Sequence, residues 1–407
     1  MRTPRRVASL ALLLLAPTAP AGLLSQTPRA AAAAVRGVVF VDANGDGVRG
    51  PREQGLAGVA VSNQDAVVVT DASGAFALPG AGRGVAFVSV PDGYRSVGRF
   101  WRALHDTTTA LTFALAPVPR ARTFTFVHAS DPHVAPAVVA RTQRLRALVD
   151  SLRPAFALVT GDLVRDALRV PEAEARGYYE LWTREAAAFA TPLWTVPGNH
   201  EVFGIERDKS GVDASHPLYG HRMYRHYLGP EHYSFTYGGV HFVGLNTVDV
   251  ADQWYYGHVD SLQLAWLERD LALVPPDMPV VTFDHIPLLS ASEILHGYTD
   301  RPPAPSLITV GGRTVFRHTV SNAGDVLALL RRRRHVLALG GHIHHAERIS
   351  HEVEGLRTRF EQSAAVVGSV AVRGLRFPSG ITVYTVRDGV VDAGRFVPLG
   401  LPEPPRP

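Results

Sequence analysis

Residues 124–133 read FTFVHASDPH, a strand-like run of Phe, Thr and Val that stops at Asp131 and is followed by His133. Four later stretches repeat the arrangement. AFALVTGD (155–162) ends at Asp162, PLWTVPGNHE (192–201) carries Asn199 and His200, PVVTFDHIP (279–287) carries His285, and HVLALGGHIH (335–344) carries His342 and His344. Between them apolar residues return at helical spacing, as at Val138, Val139, Thr142, Leu145, Leu148, Val149 and Leu152. Strands alternating with helices from Thr123 onward specify an α/β domain. In open α/β sheets, ligand sites lie outside the carboxyl ends of strands, so five such ends can converge on one crevice. Crowded carboxylates and imidazoles are costly to bury unless paired or metal-bound. Seven convergent nitrogen and oxygen groups suit two divalent transition ions.

Composition narrows the chemistry. The 407 residues are 46% hydrophobic and 19% charged, enough apolar material for one or two packed domains, which excludes wholesale disorder. Gly (37) and Pro (30) point to many turns rather than a helical bundle. Cys is absent, which removes disulfides, thiolate nucleophiles and Cys-ligated zinc. Any metal must be held by His, Asp, Glu, Asn or backbone oxygen. The net charge of +4 and pI near 9.5 would by themselves point to a polyanion partner. Three of those charges are Arg2, Arg5 and Arg6, in a segment read below as a leader, so no specific nucleic-acid partner is expected. The run Arg331 to Arg334 ends the helical stretch DVLALLRRRR, where cations suit a helix C-terminus, and it lacks the aromatic interleaving of a nucleic-acid surface. Of 18 His, 17 lie between His128 and His351, so the chemistry belongs to the later part of the chain.

Arg2, Arg5 and Arg6 precede the apolar run VASLALLLLA (7–16), and Ala19-Pro20-Ala21 offers a small-residue cleavage site. This is a secretory signal pattern over residues 1–21, with cleavage between 21 and 34. Pro17, Thr18 and Pro20 interrupt it before spanning length, so the mature chain is expected to be exported, periplasmic or extracellular, without a transmembrane segment. A linker follows at 22–35. Residues 36–117 then alternate short strand-like runs (VRGVVFVD, AGVAVS, AVVVTD, GAFALP, VAFVSVP, LTFALAP) with Gly, Asp and Pro turns, the pattern of a small prealbumin- or immunoglobulin-like β-sandwich. Pro117 and Pro119 mark a boundary, the α/β domain is expected over 122–399, and the Pro-rich residues 400–407 read as a disordered tail. Inside the sandwich, Asp42, Asn44, Asp46, Gly47 and Glu53 fit the spacing of a calcium loop, with alternate oxygen side chains, a turn Gly and a closing carboxylate. The same residue types also make ion-free polar turns, and Pro51 within the loop counts against an ion.

The motifs D-x-H, G-D, G-N-H-E, H-I-P and G-H-x-H, in this order over about residues 124–395, resemble the set that marks the calcineurin-like metallophosphoesterases. The resemblance implies a four-layer αββα sandwich, two facing sheets flanked by helices, with a dinuclear centre at one edge. It implies that Asp131, His133 and His344 hold the first metal, Asn199, His285 and His342 the second, and that Asp162 bridges them. The metals implied are two divalent transition ions: manganese, iron or zinc. His200 would stand beside the scissile group as a leaving-group acid or transition-state donor. The activity implied is hydrolysis of a phosphoric mono- or diester, on a phosphorylated small molecule or envelope component, by a metal-bridging hydroxide. Together with the preceding sandwich, HPLYG (216–220) and YSFTYGGVHFVGLN (233–246) resemble a secreted bacterial subgroup. Purple acid phosphatases differ, carrying D-x-G and a Tyr ligand where this chain has His133 and Arg165. The alternative is a non-catalytic cell-surface binding protein on the same scaffold, which would be expected to lose ligands, whereas all seven positions are present.

Other polar residues receive plainer readings. His241, alternating within VHFVGLN, is expected to be structural, and His345 to have no role at the site. His128, Glu201 and Asp284 are candidates for orienting the ligands beside them. The long segment between His285 and His342, with His296, Tyr298, Asp300, Arg301, Arg313, Arg317 and His318, is the candidate substrate rim, together with Tyr219 to Tyr227 and Trp254 to Tyr256.

Overall fold

The computed structural model describes residues 34–105, 108, 110–302, 304–372 and 375–403. The leader read at 1–21, the linker up to residue 33 and residues 404–407 lie outside the described residues. From Val35 to Pro117 the chain forms two four-stranded sheets, consistent with a β-sandwich. Val35–Val41 pairs antiparallel with Ala75–Leu78 and parallel with Ala110–Pro117, while Ala60–Ser62 and Val85–Val88 pair in the other sheet. Alternation drives the burial: in Ala110–Pro117, Leu111, Phe113 and Leu115 are buried while Ala110 and Thr112 are exposed. Two strands escape the sequence pattern, Tyr94–Ser96 and Trp101–Ala103, each too short to show a period.

The α/β region is built on two six-stranded sheets. The first runs Leu193–Val196, Phe156–Thr160, Thr123–Ala129, Gly380–Arg387 and Val390–Val391, with Arg395–Pro398 also paired to Gly380–Arg387. The second runs Tyr233–Tyr237, Val240–Gly244, Pro279–Phe283, Arg334–Gly340, Leu356–Gln362 and Glu347–Val353. Thr123–Ala129, Phe156–Thr160 and Leu193–Val196 are parallel, as are Pro279–Phe283 and Arg334–Gly340. Their carboxyl ends therefore carry all the motif residues. FALVT and PVVTF are buried at every position, as parallel strands covered on both faces require. The two sheets meet through aromatic pairs, Phe126 with Phe242 at 5.5 Å and Phe156 with Phe235 at 5.3 Å between ring centres. Helix Val139–Leu152 buries Leu145 and Val149 with Val127 and Ala157 of the first sheet. Helices Ser261–Ala272 and Ala323–Leu330 bury Trp266, Leu267, Val326 and Leu330 in the same core as the second sheet. Among the described residues no helix is long and apolar enough to cross a membrane.

One hydrophobic core also runs from the β-rich region into the α/β region. The Phe87 ring lies 6.3 Å from both Tyr233 and Trp266, and Phe100 lies 4.8 Å from Trp194. Gly229, at φ 95°, admits the Trp101 indole where a Cβ would stand 2.4 Å from it. An ionic lock centred on the buried Glu231 accompanies this contact. Arg83 donates to both Asp260 oxygens at 2.7 Å and stands 3.7 Å from Glu231, which also accepts from Arg225 and from Asn246 at 3.0 Å. Burial alone would raise the Glu231 carboxyl, but Arg225, His221 and Arg83 outweigh it and hold it down at about 2.

The tail reading needs correction for residues 400–403. Pro402 O accepts from Arg141 at 2.7 Å, and Glu403 accepts from Ser369 Oγ at 2.6 Å and pairs with Arg376 at 3.0 Å. The prolines signalled a chain without its own secondary structure, not a chain without partners.

Candidate metal centre

Each motif occupies the loop just past a strand, and the backbone there takes an unusual course. Asp131, His133, Asp162, His342 and His344 all have positive φ, between 41° and 69°. They are five of the ten non-glycine residues in that region among those described. Such backbone is sparsely populated and persists where the surrounding structure imposes it. Hydrogen bonds between adjacent loops impose it here: Asp131 N donates to Gly161 O at 3.2 Å and His133 N to Asp162 O at 2.8 Å. Glycine makes room for the side chains. A Cβ on Gly198 would lie 2.3 Å from Asp162 Oδ1, and one on Gly161 2.6 Å from His285 Nδ1.

The side chains gather into two groups that share one residue. Asp131, His133, Asp162 and His344 bring ligand atoms within 4.8 Å of one another, and so do Asp162, His285 and His342. Asp162 turns one oxygen to each group, Oδ2 at 3.5 Å from His133 Nε2 and Oδ1 at 3.2 Å from His285 Nε2. In the first group His133 Nε2 faces His344 Nε2 at 3.3 Å, and His344 Nε2 lies 3.2 Å from Asp131 Oδ1. In the second, His285 Nε2 lies 3.1 Å from Asn199 Oδ1 and 3.2 Å from His342 Nδ1. The seven residues read from the five strand ends thus stand together.

The donor set fits two hard-to-borderline cations. Four imidazoles, two carboxylates and one amide oxygen converge, with no thiolate. Ring nitrogens face each other across about the span that a shared cation would occupy, and Asp131 Oδ1 is fully buried without a hydrogen bond. His285 Nδ1 donates to Thr160 O at 2.8 Å, since a carbonyl can only accept, which leaves the Nε2 lone pair for the cluster. The electrostatics agree. Burial would raise Asp162, but His285, His200 and His133 hold it well below the usual carboxylate range. Burial would lower His285, yet Asp162 and Asp131 push it up, a field that calls for positive charge at this point.

The neighbouring residues divide. Glu201 is fully buried and its two oxygens accept from Val164 N at 2.9 Å and Gly198 N at 2.6 Å, so it ties the Asp162 and Asn199 loops together. Burial, then the Asp162 charge, raises its carboxyl. His128 Nε2 meets Thr160 Oγ1 at 2.9 Å, and burial lowers its imidazole to about 3. Asp284 is buried with both oxygens unpartnered, and burial raises it well above the usual range. His241 pairs with Asp270 at 2.9 Å, holding its strand to helix Ser261–Ala272 away from the ligands. His200 stands beside the cluster, its Nε2 3.8 Å from Asp162 Oδ2, its N–H on Asp162 Oδ1 at 2.9 Å and its Nδ1 on Arg165 O at 2.6 Å.

The segment between His285 and His342 behaves differently from a simple rim. Arg317 is buried, stacked on Tyr255 at 4.2 Å and Trp254 at 4.9 Å, and donates to Pro305 O at 2.8 Å. His318 reaches His342, a contact that sequence spacing did not indicate. Tyr224 is likewise buried, its hydroxyl on Thr195 O. The calcium-type loop is folded on itself. Asp42 accepts from Gly45 N at 2.6 Å and Gly47 N at 2.8 Å, Asp46 from Val48 N, and Glu53 from Ala43 N and Gly50 N. Backbone donors claim these oxygens, and Asp42, Asp46 and Glu53 are not among the groups whose ligand atoms come together. The calcium reading of Asp42, Asn44, Asp46 and Glu53 is therefore not supported.

Residues 124–346, over half of the chain, match the family model described as calcineurin-like phosphoesterase. Among solved structures the chain is similar to a dimetal phosphatase from Danio rerio, at 16% identity and TM-score 0.44, over 67% of this chain and 96% of the other. It is also similar to the anchor in the inner membrane complex of Plasmodium, at 13% identity and TM-score 0.42, over 70% of this chain and 88% of the other. A Thermus thermophilus protein follows at 8% identity and TM-score 0.36, over 68% of this chain and 99% of the other. These three stand as likenesses alone. No curated protein matches the chain.

Proposed function

Since the chain belongs to the calcineurin-like phosphoesterase family, we propose that it is an exported hydrolase of phosphoric mono- or diesters that works with two divalent transition ions. The observation that carries the reading is Asp162, whose two oxygens serve two separate His and Asp groups. Asp131, His133 and His344 would hold one ion, Asn199, His285 and His342 the other, and Asp162 both. Bound there, two cations lower the pKa of a coordinated water and neutralise phosphate oxygens in an in-line displacement. Manganese, iron and zinc all suit this donor set.

The chain's own part is to hold these groups and move one proton. His200 Nδ1 donates to Arg165 O, which fixes the ring and leaves Nε2 as the atom that exchanges a proton at the site. In the protonated form, Nε2–H can pass its proton to the departing ester oxygen, a contribution of about 10²–10⁴ in rate. The N–H of His200 on Asp162 Oδ1 couples the position of that acid to the shared carboxylate. Export rests on the basic, then apolar, then small-residue order of residues 1–21. The test is turnover by the Mn²⁺-reconstituted full chain on paired aryl phosphate monoester and diester substrates. Hydrolysis of at least one, abolished by chelation, is expected. Two metals bound with no turnover on either would overturn the proposal.

A further inference from the structure

His342 is the one proposed ligand whose outer nitrogen meets another imidazole. Its Nδ1 faces His285 Nε2 at 3.2 Å, on the cluster side, while its Nε2 lies 2.6 Å from His318 Nδ1. The two rings meet edge to edge, with centres 4.9 Å apart and planes 25° from parallel. Two ring nitrogens at that distance share one proton, so one donates and the other accepts. If His342 Nδ1 turns its lone pair to a cation, its Nε2 carries the proton and His318 Nδ1 accepts it. His318 Nε2 is then the protonated atom, and it points to Glu293 Oε1, 3.8 Å away, within charge contact though beyond hydrogen-bond reach.

We propose that His318 is a positioning residue for the second cation, fixing the ring orientation and tautomer of His342 so that Nδ1 is presented to the metal. This rests on the dinuclear reading of the site. Partners of this kind orient ligating histidines and are worth about 10- to 100-fold in metal affinity. The segment that carries His318 is built to hold it still. Arg317 beside it is pinned by Tyr255 and Trp254, with donation to Pro305 O and Tyr255 O. On the other side Val320 N bonds Pro287 O at 3.0 Å and Ser321 N bonds Gly257 O at 2.8 Å. Glu293, nine-tenths buried on helix Ser292–His296, supplies the negative end of the series.

The experiment is calorimetric titration of the metal-depleted full chain with Mn²⁺, read as stoichiometry and affinity for each ion. In wild type two ions bind. In His318→Ala one of the two ions is expected to lose 10- to 100-fold in affinity while the other is unchanged, with the melting temperature of the metal-free chain unaltered. His318→Gln, whose side-chain carbonyl can accept from His342 Nε2, is expected to recover most of the loss. Two ions at wild-type affinity in His318→Ala would overturn the inference, as would equal losses in His318→Ala and His318→Gln. Failure of wild type to bind a second ion would instead overturn the dinuclear reading itself.

Discussion

Replacing Glu231 by Gln keeps the shape of a buried side chain and removes its charge from between Arg83 and Arg225. The carboxyl is held at about 2 against an ordinary 4.5, which corresponds to roughly 3 kcal/mol of stability at neutral pH. A second route gives a similar size, since leaving a buried charge without its partner costs about 3–5 kcal/mol. The folded-state value is depressed, so the contribution is complete above pH 4.5 and is lost as pH falls toward 2. Wild type should therefore exceed Glu231→Gln by about 3 kcal/mol at pH 7, narrowing to less than half of that at pH 3. The assay is urea unfolding of both proteins at matched pH values, followed by tryptophan fluorescence, since Trp101 and Trp266 lie in the shared core. A difference below about 1 kcal/mol at pH 7, or one that does not narrow on acidification, would refute the electrostatic account of how the β-rich region is fastened.

Three further outcomes concern the metal site. His200→Ala is expected to retain both ions, by elemental analysis, while kcat falls by about 10²–10⁴. Asp162→Ala should lose both ions together, and a variant that keeps one at full occupancy would show that Asp162 serves a single group. Gly161→Ala places a Cβ 2.6 Å from His285 Nδ1 at a backbone φ of 75°, so it should weaken metal binding and lower the melting temperature, whereas an unchanged titration would contradict the packing described around Thr160 and His285.

Local signals carried most of the fold. Apolar runs that end in Asp, Asn or His marked five strand ends, and six of the eight strands in the β-rich region coincide with stretches readable from β-branched residues and turns. The convergence of the ligands was legible because one topological rule places all such ends at one crevice. What sequence could not show depends on distant pairs or on backbone shape. His318 and His342 are 24 residues apart with a helix and a strand between them, and Arg83 and Glu231 are separated by more than a hundred residues. The calcium-type loop shows the converse limit. Its spacing is right, but spacing does not report that backbone N–H groups already occupy the Asp42 and Glu53 carboxylates. Arg317 belongs to the same class, a charge expected at a surface rim that the structure buries over Tyr255 and Trp254.

The central claim is a two-cation centre held across one shared carboxylate, and electron paramagnetic resonance of the Mn²⁺-loaded chain tests it most directly. With two equivalents added, the account predicts the spectrum of a spin-coupled pair, which is lost in Asp162→Ala and leaves only the signal of free Mn²⁺. An uncoupled spectrum at saturation in wild type would contradict it.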